Sequence, residues 1–479
     1  MSKLLKLNIF QYFRKKGINT LPSSFYGKIA EWESWYNGNV KRFTFYRVYT
    51  GRGCYSRCKR HSLGMAKKVC EDMADLLLNE RVTIVLDDQR TDAFVRQILQ
   101  DNHFDTLGNE YQERKACSGT VAYVPCIEDL QSGLLGEVTG GRIKINYVTA
   151  KNIFPVSWEN GKIQEVIFAF PKTYCTKRYL HLQHHKVGGD GNYRIENTVL
   201  LVTAGSTCGQ ELTEEEWQEV PIFAGLPEEI ETGSAEPQFV IDRLNMVNNA
   251  DMEDEENPMG ISLFANSIDI LRKIDTEYDS YANEFGLGRK RIFVAPEMLT
   301  DENGNKVFDE NDTVFYSLPE ETLKDTNPIY EVNMELRTEQ HSKALNDDLN
   351  YLSMKCGFGT ERYKFEKGTV ATATQVISEN SDMYRSLCKH EIVLQSALEE
   401  LIRIIIRLGI ALGEPLREDV EVTINFDDSI IEDKEAERQR DRQDVSMGAM
   451  GVDEYRAKWF GETLEQARKN LPVQNNVME

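Results

Sequence analysis

From Thr372 to Leu412 the chain carries about 40 residues without a proline and with no glycine before Gly409, enough for one helix roughly 60 Å long at 1.5 Å per residue. From Leu387 the apolar positions Leu394, Leu398, Leu401, Ile405, Leu408 and Leu412 keep a four/three alternation, which lays a single hydrophobic stripe along such a rod. A helix of this length cannot be the interior of one small globule. It needs either a second helix of the same kind, as in a coiled-coil homodimer, or an assembly in which long helices from several subunits stand side by side.

A second rod precedes it. Asn257 can cap a helix and Pro258 suits a first helical position, so a helix is expected over 258–286, roughly 40 Å long. Phe264, Leu271, Ile274, Tyr278, Tyr281 and Phe285 mark its apolar face, with Asp269, Arg272, Lys273, Asp275, Glu277 and Asp279 on the others. Gly286 and Gly288 are its stop signals, and Arg289, Lys290 and Arg291 suit the negative end of its dipole. Arg291 to Ala295 then alternates as a strand, and Asn303-Gly304 predicts a hairpin turn before Val307. From Met334 a helical pattern returns through Leu345, Leu349, Leu352 and Cys356. The chain goes out along one helix, builds a small β-containing tip and comes back along another. Three long helices with such a tip and a polar loop, 357–373, suit a ring of subunits lining a channel better than a coiled-coil homodimer.

Asn257-Pro258-Met259-Gly260-Ile261-Ser262, Ile268-Asp269-Ile270-Leu271, Asp275, Tyr278, Glu284-Phe285 and Gly288-Arg289-Lys290-Arg291 together resemble the portal proteins of tailed bacteriophages, in particular the siphophage-type family. His61 to Glu80 and Ala150 to Phe168 resemble that family's wing region, and Thr372 to Leu387 the start of its long channel helix. The resemblance runs from about Ile29 to Phe426 and rests on several stretches in order rather than on one catalytic motif. It implies an α+β, multi-domain subunit: an N-terminal α/β wing over 1–256 with strand 421–426 returning to it, stem helices over 257–288 and 334–356, a clip over 289–333, a tunnel loop over 357–373, a channel helix over 374–413 and a helical crown over 427–479. The resemblance further implies a dodecameric ring at one capsid vertex, double-stranded DNA passing through it, a terminase motor, a head–tail adaptor, and a major capsid or scaffolding protein as partners. The protein is expected in the virion, and in the host cytoplasm during assembly.

The same resemblance assigns roles to particular side chains. Arg362, Tyr363, Lys364 and Lys367 in the tunnel loop, with Arg289 and Lys290 at the stem's end, are the expected DNA-contacting residues. A solvated loop is the other reading of that cluster. Phe293, Asn303, Phe308 and Phe315 in the exposed tip are the expected docking residues for partners.

Charge is uneven. Residues 1–68 hold 15 Lys or Arg against Glu31 and Glu33 only, whereas 211–256 hold 15 acidic side chains against Arg243, in a chain whose net charge is −22. Tight nonspecific DNA binding draws on Lys and Arg, so the overall balance disfavours it. A sliding conduit has another need, a mostly repulsive wall with a few basic rings; acidic solubility explains the balance equally. The basic N-terminal third can pair with the acidic part of a neighbouring subunit, or face capsid, scaffold or DNA. Trp32, Trp35, Tyr36, Phe43, Phe45, Tyr46 and Tyr49 among Lys41, Arg42, Arg47 and Arg52 read as core and subunit packing or as a nucleic-acid platform.

Catalytic patterns are missing, so neither an enzyme nor a cofactor or metal is expected. No G-x-x-x-x-G-K-[ST] loop occurs, and His390-Glu391 has Leu394 where a zinc-protease helix needs its second histidine. Gly286-Leu287-Gly288 and Gly357-Phe358-Gly359 lack the third glycine of a dinucleotide loop. Cys54, Cys58, His61 and Cys70 have zinc-ligand types, but Cys70 falls on an apolar helix face. Same-face His181 and His185 in a strand stand roughly 13 Å apart, too far for one ion. Asp301 to Asp312 has calcium-loop residues with its glycine misplaced. The dense carboxylates Asp251 and Glu253 to Glu256 leave open a metal-dependent nuclease subunit, and a minor capsid or adaptor protein is the other alternative. Nine scattered cysteines fit a reducing compartment. Met1 to Gly17 lacks a signal-peptide core, and Leu401 to Leu412, broken by Arg403 and Arg407, is too short to span a bilayer.

Overall fold

The computed structural model describes residues 9–49, 53–79, 82–132, 138–202, 209–251, 256–288, 290–294, 315–317, 329–360, 362–363, 373–426, 434–460 and 464–469. Its content is 46% helical and 26% strand, mixed as an α+β chain should be.

The N-terminal part runs α1 (Ile9–Lys16), α2 (Ser23–Tyr36), β1 (Phe45–Tyr49), β2 (Tyr55–Lys59), α3 (Met65–Leu77), β3 (Thr83–Leu86), α4 (Gln89–Asp101), α5 (Phe104–Ser118), β4 (Thr120–Ser132) and β5 (Val138–Thr149). The sequence pattern predicts helices near Phe25–Tyr36, Ser62–Leu78 and Thr91–Leu99. The last begins earlier because Asp88 caps it, its carboxylate accepting from the Thr91 N–H at 2.9 Å. α5 has no counterpart in the sequence reading. Its buried face is Phe104, Gly108, Gln112 and Lys115, a helical stripe made largely of polar and small residues that apolar periodicity cannot register.

β6 (Ile153–Glu159), β7 (Lys162–Tyr174), β8 (Lys177–Val187) and β9 (Tyr193–Val202) form an antiparallel meander, extended by β10 (Gln210–Glu211) and by β11 (Glu229–Glu231), both paired to β9. Asn160 and Gly161, at φ 50° and 76°, make the tight β6–β7 turn that only such residues adopt readily. Gly188-Gly189-Asp190-Gly191-Asn192 predicts a hairpin turn, and this turn joins β8 and β9. α1 lays Tyr12 and Phe13 on one face of this sheet against Phe154, Ile167, Leu180 and Leu200. α6 (Glu214–Gln218) tucks Trp217 against the other with Phe223, Tyr179 and Val199. β8 is therefore buried on both faces.

β12 (Val240–Arg243) pairs with β4, and β4 with β5. Here the structure corrects the sequence reading: residues 257–264 are not helical. The 20-residue helix α7 (Ile268–Leu287) starts ten residues later than Pro258, so the rod is about 30 Å, not 40 Å, long. Asn257 does not cap a helix; its side chain accepts from the Met259 N–H at 2.9 Å and donates to Asp251 at 2.7 Å. The segment is a buried strap with Met259, Ile261, Leu263 and Phe264 in the main core. The Gly260 N–H donates to Thr120 Oγ1 at 2.8 Å and the Leu263 N–H to the Ala116 carbonyl at 2.9 Å. Burial of apolar residues on every side outweighs the local preference of Pro258 for a helix start.

After α7 come β13 (Arg291–Val294), β14 (Phe315–Ser317) and β15 (Ile329–Val332), in the order β14-β13-β15. β13 pairs parallel with β14 and antiparallel with β15, so β13 and β14 are not hairpin neighbours. The turn expected at Asn303-Gly304 and the calcium-like stretch 301–312 lie outside the described residues. α8 (Thr338–Lys355) returns, and α9 (Ala373–Ala411) is the long helix, with Leu387, Leu394, Leu398, Leu401, Ile405 and Leu408 all buried. β16 (Val422–Asn425) pairs antiparallel with β3, bringing the chain back to its N-terminal part. α10 (Lys434–Ser446), α11 (Val452–Phe460) and α12 (Leu464–Lys469) close the chain through polar contacts such as Trp459 Nε1 to Asp441 at 2.8 Å.

Candidate channel and docking surfaces

α7 and α8 are antiparallel. Lys273, early in α7, holds Asp348, late in α8, at 2.7 Å, while Glu284, late in α7, takes two hydrogen bonds from the Arg337 guanidinium just before α8 at 2.8 and 3.0 Å and a third from its N–H at 3.3 Å. Tyr281 stacks on His341 with ring centroids 5.4 Å apart. The Arg337 donors hold the Glu284 carboxyl down at about 2. At the far end of the pair the three-stranded sheet places Phe293 in β13, opposite Tyr330 and Tyr316. Phe315 opens β14, and Asn303 and Phe308 lie outside the described residues. Lys290 forms an ion pair with Glu331 at 2.5 Å, and Arg289 is not described.

The inner end of α7 is latched to the N-terminal part by two carboxylates that the sequence reading put on a polar helix face. Asp275 accepts from the Leu63 N–H at 3.0 Å and the Ser62 hydroxyl at 2.8 Å. One turn on, Asp279 accepts from the His61 N–H at 2.9 Å. Both aspartates are buried. Burial pushes the Asp275 carboxyl up. Burial acts the same way on Asp279, but the donors of His61 and Tyr46 prevail and hold it below its ordinary value. Only their i, i+4 spacing could have hinted at a common target.

The expected tunnel loop begins close to the core. Phe358 is buried, and the Tyr363 ring meets it edge-on at 6.0 Å. Burial, with the Asp72 carboxylate nearby, pushes the Tyr363 phenol well up. Arg362, about a third exposed, lies 3.8 Å from the buried Asp72, which also takes Lys68 at 2.8 Å. Lys364 and Lys367 lie outside the described residues.

α9 is tied to the wall of the core at its middle. The buried His390 accepts through Nδ1 from the Asn245 N–H at 3.1 Å, and the Asn245 amide donates to the Lys389 carbonyl at 2.7 Å. Burial lowers the His390 pKa to about 3, keeping it a neutral acceptor. Further along, Arg403 and Arg407 line a cleft of about 370 Å³ with Lys162, Glu236, Glu400 and Glu418. Arg407 spans it to donate to the Pro237 carbonyl at 3.0 Å. Burial pushes the Glu400 carboxyl up and the Arg407 guanidinium down. The lining balances three acids against three bases.

The metal-like constellations do not assemble into sites. Cys70 is in the core while Cys54 is exposed, and no group of three His, Cys, Asp or Glu among the described residues could hold an ion. His181 shares a hydrogen bond with Asn197 at 2.9 Å, and His185 sits between the edges of Phe168 and Phe239. Asp251 binds Asn257, while 252–255 of the acidic run are outside the described residues. The aromatic N-terminal cluster divides: Trp32 and Trp35 are core, whereas Phe45 and Tyr49 are exposed on β1. No described helix is long and apolar enough to cross a membrane.

Among solved structures, a chain from the virion of a native gene transfer agent particle matches with a TM-score of 0.39 and 10% identity, covering 83% of this chain and 89% of that one. No curated protein sequence matches. The family described as phage portal protein, SPP1 Gp6-like, matches residues 23–463, nearly the whole chain. The chain belongs to the SPP1 Gp6-like family of phage portal proteins.

Proposed function

We propose that this protein forms the ring-shaped DNA channel at one vertex of a phage-type capsid, a dodecamer through which double-stranded DNA is packaged and ejected. The observation that carries the reading is the family match across residues 23–463. The antiparallel α7–α8 pair and the 39-residue α9 support it, because such rods offer different surfaces on their two sides and a closed ring needs a heterologous interface. The segment 289–333 is the clip, and Phe293, Asn303, Phe308 and Phe315 are its docking residues for the terminase motor and the head–tail adaptor. Arg362, Tyr363, Lys364 and Lys367, with Arg289 and Lys290, contact DNA in the channel. The N-terminal part meets the major capsid or scaffolding protein. The subunit itself does no chemistry, and the motor is a separate protein, consistent with the absence of a phosphate-binding loop from the sequence.

Negative-stain electron microscopy with mass photometry tests this. Closed rings with a central hole and a mass near a dodecamer of 55.0 kDa chains are expected, alone or on coexpression with the capsid proteins. Lys364→Ala/Lys367→Ala is expected to leave the rings intact and to lower DNA packaging. A chain that stays monomeric or dimeric even beside the capsid proteins would refute the conduit.

A further inference from the structure

The β1–β2 ribbon presents an unpartnered face of unusual composition. Cross-strand partners share a face, and the register pairs Phe45 with Lys59, Arg47 with Arg57 and Tyr49 with Tyr55. All six side chains are exposed, Tyr49 by 62% and Tyr55 by 68%. On the opposite face Tyr46 and Cys58 are half-buried toward the body of the protein while Val48 and Ser56 are exposed, and Arg60 at the ribbon's end hydrogen-bonds Thr276 of α7. The exposed face is thus three aromatics and three cations. No carboxylate occurs in the sequence between Glu33 and Glu71.

Two features of this face are costly in an isolated subunit. Arg47 and Arg57 stand directly opposite each other, an arrangement of like charges that destabilises a strand pair. A two-stranded ribbon is also marginally stable on its own. Arg57 eases the first by stacking 4.0 Å over the Phe45 ring, but none of Arg47, Arg57 and Lys59 makes an ion pair among the described residues. Such a face is complete only against an acidic surface with some apolar area.

The chain carries that surface elsewhere. Along α6 and the outer edge of the six-stranded sheet, Glu211, Glu229 and Glu231 are satisfied by Lys16 and Arg194. Glu214, Glu215, Glu219 and Glu228 are exposed and make no ion pair among the described residues, and Ile222 beside them is 42% exposed. The cationic face is anchored to α7, the acidic strip to the sheet edge. Two different, complementary surfaces on one chain are what a closed heterologous ring uses.

We infer that the β1–β2 face of one subunit docks on the α6 acidic strip of a second copy, an inference that rests on the ring proposed above. A DNA duplex is the less fitting occupant: its bases are already stacked, so Phe45, Tyr49 and Tyr55 would find no free base faces. Charge reversal tests the pairing in the full-length chain. Arg47→Glu/Arg57→Glu, both exposed, should keep the wild-type thermal midpoint and lose rings in mass photometry. Glu215→Lys/Glu219→Lys should do the same, and a chain carrying all four reversals should form rings again. Rings from either double variant at the wild-type level, or no recovery in the fourfold variant, would overturn the docking. If the rings persist and duplex binding by fluorescence anisotropy falls in the arginine variant, the face belongs to DNA. Absence of rings from the wild-type chain beside the capsid proteins refutes the ring reading itself, and the docking with it.

Discussion

Replacing Lys115 by methionine removes the ammonium from an ion pair whose two side chains are both fully enclosed. Lys115 Nζ donates to the two oxygens of Asp242 at 2.8 and 3.0 Å, tying α5 to β12 across the main core. Asp242 also accepts from Gln112 Nε2 at 2.8 Å and lies 3.4 Å from the Tyr123 hydroxyl. Burial pulls the Lys115 pKa down, with Asp242 opposing it. Methionine preserves most of the volume, so the perturbation is electrostatic: a carboxylate left in the core with only two neutral donors. Breaking one side of a buried pair costs about 3–5 kcal/mol. Removing both, in Lys115→Met/Asp242→Leu, takes away the uncompensated charge; the Gln112 amide keeps its bond to the Tyr123 hydroxyl at 2.9 Å, so the Tyr123 O–H is the group left without an acceptor, a loss of about 1–3 kcal/mol. The double variant should therefore sit above the single one. Urea unfolding followed by far-ultraviolet circular dichroism at fixed protein concentration measures both, and hydrogen exchange in α5 and β12 localises the loss. A single variant within about 1 kcal/mol of wild type, or a double variant less stable than the single, would refute charge compensation as the role of this pair.

Two further outcomes follow from geometry and titration. Gly119 has φ +84°, and a Cβ there would lie 2.4 Å from the Gly260 carbonyl, so Gly119→Ala should cost about 2–6 kcal/mol in the same unfolding assay, from left-handed strain plus overlap with the strap; Gly17→Ala, at φ +72° with open space around it, should cost only the strain. Burial lowers the pKa of His181 to about 4 and of His185 and His390 to about 3, from 6.5. A lowered histidine pKa gives stability that is present above the unfolded value and lost as pH falls from 6.5 toward the folded one, about 2 kcal/mol per histidine by pH 5. The buried carboxyls of Asp275 and Glu400, pushed up, work the other way. The thermal midpoint should fall between pH 6.5 and 5, and His185→Phe should flatten that slope; an unchanged slope would exclude His185 as a contributor.

The long rods, the β8–β9 hairpin and the family were legible because each is written in local periodicity, turn residues or the order of short stretches. The α9 stripe from Leu387 to Leu408 is buried as its spacing implied. Local signals failed where distant contacts decide. Pro258 reads as a helix start, yet the strap is held extended by Thr120 and Ala116, far away in sequence. α5 is invisible to hydrophobic periodicity because its buried Gln112 and Lys115 are made tolerable by Asp242, 127 residues beyond Lys115. Asp275 and Asp279 look like a solvent face until the backbone of His61 and Leu63 arrives to be captured.

The candidate surfaces divide in the same way. Sequence by itself determined membership of the portal family, through the resemblance of several short stretches in order, as well as the long helices and the segregation of charge between a basic N-terminal stretch and an acidic one, because stretch order, periodicity and composition are properties of the chain. Which aromatics are core and which are exposed, that Arg47 faces Arg57, and that the acidic strip lies on a sheet edge were decided only by tertiary structure. The physical reason is strand register and burial: a shift of one residue exchanges the two faces of a ribbon, and that register is settled by the pairing of β1 with β2 and by what their inner face packs against.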